Sequence, residues 1–182
     1  FEELNIIPMS ISYEYEPCDI LKARELVISR KQKYVKAEGE DLNSILVGIQ
    51  QPKGNVHLNI GAPLTSEEIA EAALCDKNDR YQQIRHAVDV RVIEGYKLWK
   101  NNYVAYDLLN HTFKYSEMYS PADIENFVEY MRTKLDSVEP ELNREDLRRI
   151  FLEIYANPVV TKELLEKEKV TVRSVVLTLP SL

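Results

Sequence analysis

The chain has 182 residues, 45% of them hydrophobic and 29% charged, with a net charge of −7, which excludes wholesale disorder and gives no global support for nucleic-acid binding. No run of about 18 apolar residues is present, so the sequence predicts no membrane-spanning helix. The length suits one ordinary domain, or one small domain with part of another.

Leu4 to Tyr15, LNIIPMSISYEY, carries the first strong signal. Met9, Ile11, Tyr13 and Tyr15 alternate with Ser10, Ser12 and Glu14, the two-residue period of a strand. Leu4, Ile6, Ile7 and Met9 put apolar residues on both faces of its first half, which predicts a strand covered on both sides in a parallel α/β sheet. Only three residues precede this strand and the first is Phe1, so the expectation is a chain cut from a longer protein, with earlier strands upstream. The open side of such a strand exposes unpaired backbone groups and predicts self-association.

Pro17 and Asp19 start a helix over 17–32, with Ile20, Ala23, Leu26 and Val27 toward the sheet. Residues 22–36 hold Lys22, Arg24, Arg30, Lys31, Lys33 and Lys36 against Glu25, a local balance of +5. Either this is a solvated helix end and loop, or Arg30, Lys31, Lys33 and Lys36 form a patch for an anionic partner such as lipid headgroups or an acidic carrier protein. Asp41 to Gln51 reads as a second helix with Leu42, Ile45, Leu46 and Ile49 inward, ended by Pro52 and Gly54. Val56, Leu58 and Ile60 alternate with Asn55, His57 and Asn59 in a second, half-buried strand. Thr65 and Glu68 form a capping-box signature for a helix to about Leu74.

A long helix is expected from about Asp79 to Lys100, with Ile84, Val88, Val92, Tyr96 and Trp99 on one stripe, loosened by Asn101 and Asn102. Beyond it the pattern is helical. A short helix covers Tyr103 to Leu109, and Ser120-Pro121 caps another with Ile124, Phe127, Val128, Met131 and Leu135 on its apolar stripe. Asn143 caps a third with Leu147, Ile150, Phe151, Ile154 and Tyr155, which Asn157-Pro158 is expected to break, and Thr161 to Lys169 continues as a charged helix. The tail VTVRSVVLTL alternates weakly, as a strand would. The chain divides near residue 101 into an α/β part and a helical annex.

Candidates for chemistry are few. Cys18 and Cys75, with no metal-like spacing, read as reduced, buried small residues, a disulfide between them being the alternative. His57 lies on a polar strand face, His86 and Asp89 are spaced as a surface pair, and the eleven tyrosines fall mostly on apolar stripes as core-edge residues. His111 lacks the acid that a histidine base needs, since the fifth residue after it is Ser116 and the sixth is Glu117. Glu67 and Glu68 suit a helix N-terminus. No nucleophile elbow, phosphate loop, dinucleotide fingerprint or zinc-protease motif occurs.

The order of elements in residues 1–100 nevertheless resembles a family. IIPMSISY, with Ile7, Pro8 and Met9, is similar to the fourth block of the glycerolphosphate and 1-acylglycerol-3-phosphate acyltransferases. KGNVHLNIGAPLTSEEI resembles the following strand of that family and its exit at Gly61 to Pro63, and IRHAVDVRVIEGYKL its closing helix. YEYEPCDILKARE looks like bacterial glycerol acyltransferase relatives of this group rather than its best-studied enzymes.

The resemblance implies transfer of a fatty acyl group from a thioester, acyl-CoA or acyl carrier protein, to a glycerol-phosphate or 1-acylglycerol-phosphate hydroxyl in phospholipid synthesis, with no cofactor beyond that co-substrate. It implies a His-x4-Asp block for proton transfer and a Glu-Gly block for the acceptor phosphate, neither of which is in these residues, so no catalytic residue is assigned here and the chain alone is expected to be inert. Ile7, Pro8 and Met9 are implied to line the substrate groove. The implied location is cytoplasmic, with peripheral contact at the inner face of the membrane. The expected fold class is therefore α/β, the C-terminal part of an acyltransferase-type sheet domain over 1–100 with two clear strands and flanking helices, followed by an all-helical annex over 101–182. The alternative is a non-enzymatic module that binds a partner through that annex.

Overall fold

The two alternating segments form β1 (Met9–Tyr13) and β2 (Val56–Ile60), joined by α1 (Asp19–Ser29) and α2 (Glu40–Gln50). This computed structural model describes residues 5–178, with side chains described to Val170. The strands pair antiparallel, corrected from the expected parallel arrangement: the Gly61 N–H donates to Pro8 O at 2.8 Å and the Glu14 N–H to Asn55 O at 2.9 Å. That register sets Ser10 opposite Asn59 and Ile11 opposite Leu58. Two helices between the strands give the chain length enough to return in either sense, so the pattern left direction open.

The face is also reversed. Ser10 and Ser12 are 4% and 0% exposed, whereas Met9, Ile11, Val56, Leu58 and Ile60 are 47–66% exposed. On the inward side Gly95 lies so near the sheet that a Cβ there would meet Asn59 Nδ2 at 2.1 Å and Ser10 Oγ at 2.9 Å. Backbone, with no side chain, covers the polar face at that point.

Packing groups the chain into two units of interleaved segments, 5–12, 57–97 and 160–178 in one and 13–56 with 98–159 in the other. In the first unit, α3 (Ser66–Ala73) begins at the capping box of Thr65 and Glu68 and buries Ile69 and Ala72. Asp76 caps α4 (Lys77–Gly95), which stops at an extended Tyr96 rather than at Lys100. Tyr96 and Trp99 therefore leave the expected stripe, and Ile84, Val88 and Val92 are half-buried. Arg91 ties α4 to α3 through both carboxylate oxygens of Glu68, at 2.8 and 3.0 Å.

The second unit holds the main core. α5 (Lys100–Asn110), a 3-10 turn (Ser116–Met118), α6 (Pro121–Asp136) and the first part of α7 (Arg144–Thr178) pack with α1. Ala23, Val27, Val104, Phe127, Met131, Phe151 and Tyr155 meet at its centre, and each fully buried large side chain contributes about 1.5–3 kcal/mol. Asn101 and Asn102, expected to loosen the chain, are buried: Asn101 Nδ2 donates to Glu14 O at 2.7 Å and Asn102 Nδ2 to Tyr155 O at 2.9 Å. Val128 is exposed and leaves the apolar stripe of α6.

Two further expectations change here. α7 runs through Pro158, because buried Tyr155, Ala156 and Val159 hold the flanking turns in place against the loss of one backbone hydrogen bond. The tail expected as a strand is helical to Thr178, and its last residue, Leu179, lies outside the described residues. α2 is reversed like the sheet. It docks through Ser44 and Gly48, with Cys18 Sγ donating to Ser44 O at 3.6 Å, and turns Leu42, Ile45, Leu46 and Ile49 outward at 45–70% exposure.

Candidate functional site

Three of the four segments that carry the family resemblance meet in the first unit. The chain leaves β2 at Gly61, whose N–H donates to Pro8 O, and Leu64 N–H donates to Ile6 O at 3.0 Å. A Cβ on Gly61 would stand 3.0 Å from Pro8 O and 3.6 Å from Arg91 Cβ, so the β2 exit, the Pro8 segment and α4 close on one point. Beside it is a groove of about 610 Å³ between the end of β2 and α4, lined by Asn59, Gly61, Ala62, Val90, Arg91 and Glu94 among others.

The charges of this groove are paired. The Thr65 N–H and Arg91 hold the Glu68 carboxyl below its ordinary range, and Glu94 accepts from Lys169 Nζ at 2.5 Å. The arrangement can position and orient a ligand; it offers no nucleophile with a base in reach.

Of the three residues implied to line a substrate groove, Pro8 is buried, while Ile7 and Met9 are 48% and 54% exposed, Met9 on the outer apolar sheet face. The basic stretch belongs to the other unit and is partly neutralised. Arg30 meets Glu153 at 3.5 Å and Lys36 meets Asp41 at 2.5 Å, while Lys31 and Lys33 have no carboxylate partner among the described residues.

His57 is half-buried on β2 and His111, exposed, ends α5 in a left-handed conformation at φ 53°. Corrected from its expected pairing with Asp89, His86 lies 3.6 Å from Glu168, and Asp89 pairs with Arg85 at 3.8 Å instead. Cys18 and Cys75 are free and half-buried rather than buried.

Sequence reasoning missed the principal buried polar cluster. Asp19 is fully buried in the second unit and accepts from Tyr130 Oη at 2.7 Å, Tyr155 Oη at 2.8 Å and the Ile20 N–H at 2.6 Å. Burial pushes its carboxyl up, against the lowering effect of the tyrosine hydroxyls, and the same burial pushes both tyrosines up. Its partners lie 111 and 136 residues away, so no local spacing marks them.

A second cluster forms around Asp107, which accepts from the Tyr115 N–H at 2.9 Å and Tyr119 Oη at 2.7 Å and fastens the loop after α5. Burial and this carboxylate push the Tyr119 hydroxyl up to about 12. Among the described residues no three His, Cys, Asp or Glu converge as a metal site, and no helix is long and apolar enough to cross a membrane. No family model, curated protein or solved structure matches the chain.

Proposed function

We propose that this chain is the substrate-side part of an acyltransferase that moves a fatty acyl group from acyl-CoA or acyl carrier protein to the hydroxyl of glycerol phosphate or a 1-acylglycerol phosphate. The observation that supports this reading is the meeting of Pro8, Gly61 and Arg91, because three segments spread over the first hundred residues resemble one family and close on one point. On this reading the Ile7, Pro8 and Met9 segment borders the substrate groove through Pro8, whose carbonyl meets Gly61, and the general base with its orienting acid comes from a His-x4-Asp block upstream of Phe1. This chain then supplies binding surface, and transfer requires the upstream block. The protein acts in the cytoplasm, with Arg30, Lys31, Lys33 and Lys36 toward anionic headgroups at the inner membrane face.

The second reading is a non-enzymatic module that binds a partner through the helical annex, and the outward stripe of Leu42, Ile45, Leu46 and Ile49 on α2, outside that annex, favours an interaction role. An assay of the protein at its full natural length, with labelled acyl-CoA or acyl carrier protein and either acceptor, separates the two. Transfer that disappears when the upstream His is replaced supports the enzyme. Absence of transfer with every donor and acceptor pair rejects it in favour of the module.

A further inference from the structure

The second unit contains a groove of about 620 Å³ between the start of α1, the end of α2 and α6, within the range of small-molecule sites. Its walls are apolar, formed by Tyr15, Ile20, Leu21, Val47 and the ring of Tyr130. Tyr130 turns its hydroxyl away from the groove to donate to Asp19, which leaves the ring as wall, with the Tyr15 ring at 4.6 Å between centroids.

The polar groups of the groove are asymmetric. Ser137 Oγ donates to Lys134 O at 2.7 Å and Thr133 Oγ1 to Glu129 O at 3.0 Å, so both hydroxyl protons are spent on α6. Lys134 Nζ gives one hydrogen to Gln51 Oε1 at 3.0 Å and sits 5.3 Å from the Tyr130 ring centre; Asp19 acts on it electrostatically, but no carboxylate among the described residues is in ion-pair contact with it. Gln51 Oε1 is thereby taken, and its amide N–H groups remain. The apolar trough thus presents, side by side, an ammonium and an amide as unused donors. A half-buried ammonium in that setting is complemented by an anion.

We propose that this groove binds a carboxylate carried on an apolar body, of the class of a medium-chain fatty carboxylate, with the head at Lys134 and Gln51 and the chain along Val47, Leu21 and Tyr15. A neutral alcohol of the same length would leave the ammonium without an anion in contact, and a cationic amphiphile would be repelled. This site rests on the geometry of the second unit and is independent of the acyl-transfer reading, so either can fail alone.

The test is equilibrium binding of labelled decanoate to the full-length protein, with decanol and decyltrimethylammonium as controls, all below the concentrations at which they aggregate. Saturable binding of one decanoate per chain is expected, with decanol at least tenfold weaker, the ratio a charge-assisted hydrogen bond supplies. Lys134→Met should weaken decanoate about tenfold or more and leave decanol unchanged, whereas Lys134→Arg should retain it. Val47→Trp, which fills the trough, should abolish binding of both while Lys134→Met reports on the head group without touching the walls. Failure of decanoate to saturate, equal affinity for decanol, or an unchanged affinity in Lys134→Met would each overturn the assignment.

Discussion

At the scale of single residues, Asp19 is the point where the helical part is fastened to the chain before it. Its carboxylate receives a hydroxyl from α6 and one from α7, and Tyr155 Oη also accepts the Glu16 N–H at 2.9 Å. Removing the acceptor leaves two buried hydroxyls without it, so Asp19→Ala should lower unfolding free energy by about 3 kcal/mol in urea titration. An effect below about 1 kcal/mol would show that the cluster is dispensable.

Asp123 gives the pH dependence. Ser120, through its hydroxyl and N–H, and then Lys100 hold its carboxyl at about 2. A folded value below the unfolded one, about 3.9, means that this stabilisation is present above pH 4 and is lost as the pH falls toward 2. Ser120→Ala should cost about 1 kcal/mol near neutrality and make the acid limb of the stability curve shallower. Chemical denaturation from pH 2 to 7 measures both, and an unchanged acid limb would contradict the assignment.

At the scale of elements, the exposed sheet face governs solution behaviour. Met9, Ile11, Val56, Leu58 and Ile60 form a contiguous apolar surface on β1 and β2, the kind of patch that seeks a partner. The isolated chain should therefore self-associate with rising concentration in sedimentation velocity, and Leu58→Lys should shift it toward monomer. A parent chain that sediments as a monomer at high concentration would contradict this.

The elements themselves were largely legible, because caps and periods are local. Thr65 with Glu68, Ser120 with Pro121, and the alternation in both strands each sit within a few residues of what they determine. Which face turns inward was not legible. The serines of β1 and the Ser44–Gly48 side of α2 pack inward against the apolar pattern, and that choice depends on surfaces distant in sequence. For the same reason Asn101 and Asn102 read as breakers, though their amides bond carbonyls at positions 14 and 155. Of the candidate site, the Pro8 and Gly61 segments were marked by resemblance, but the Lys134 groove and the Asp19 cluster carry no spacing that a linear reading could find.

At the scale of the whole molecule, the chain interleaves, since α7 belongs to one unit up to Val159 and to the other from Val160. Three of the four resemblance segments lie mainly in one unit, whereas YEYEPCDILKARE, the main core, the basic stretch and the Lys134 groove belong to the other. Within the first unit everything proposed about acyl transfer depends on the close approach at Gly61, where a side chain would press on the Pro8 carbonyl. The most direct measurement is the initial rate of acyl transfer by the full-length protein before and after Gly61→Val, with thermal melting to verify that both are folded. We predict transfer by the parent and a loss of about tenfold or more in kcat/KM in the variant, the size expected when a positioning contact is displaced. No transfer by the parent with any donor and acceptor, or a folded Gly61→Val protein with undiminished rate, would contradict it.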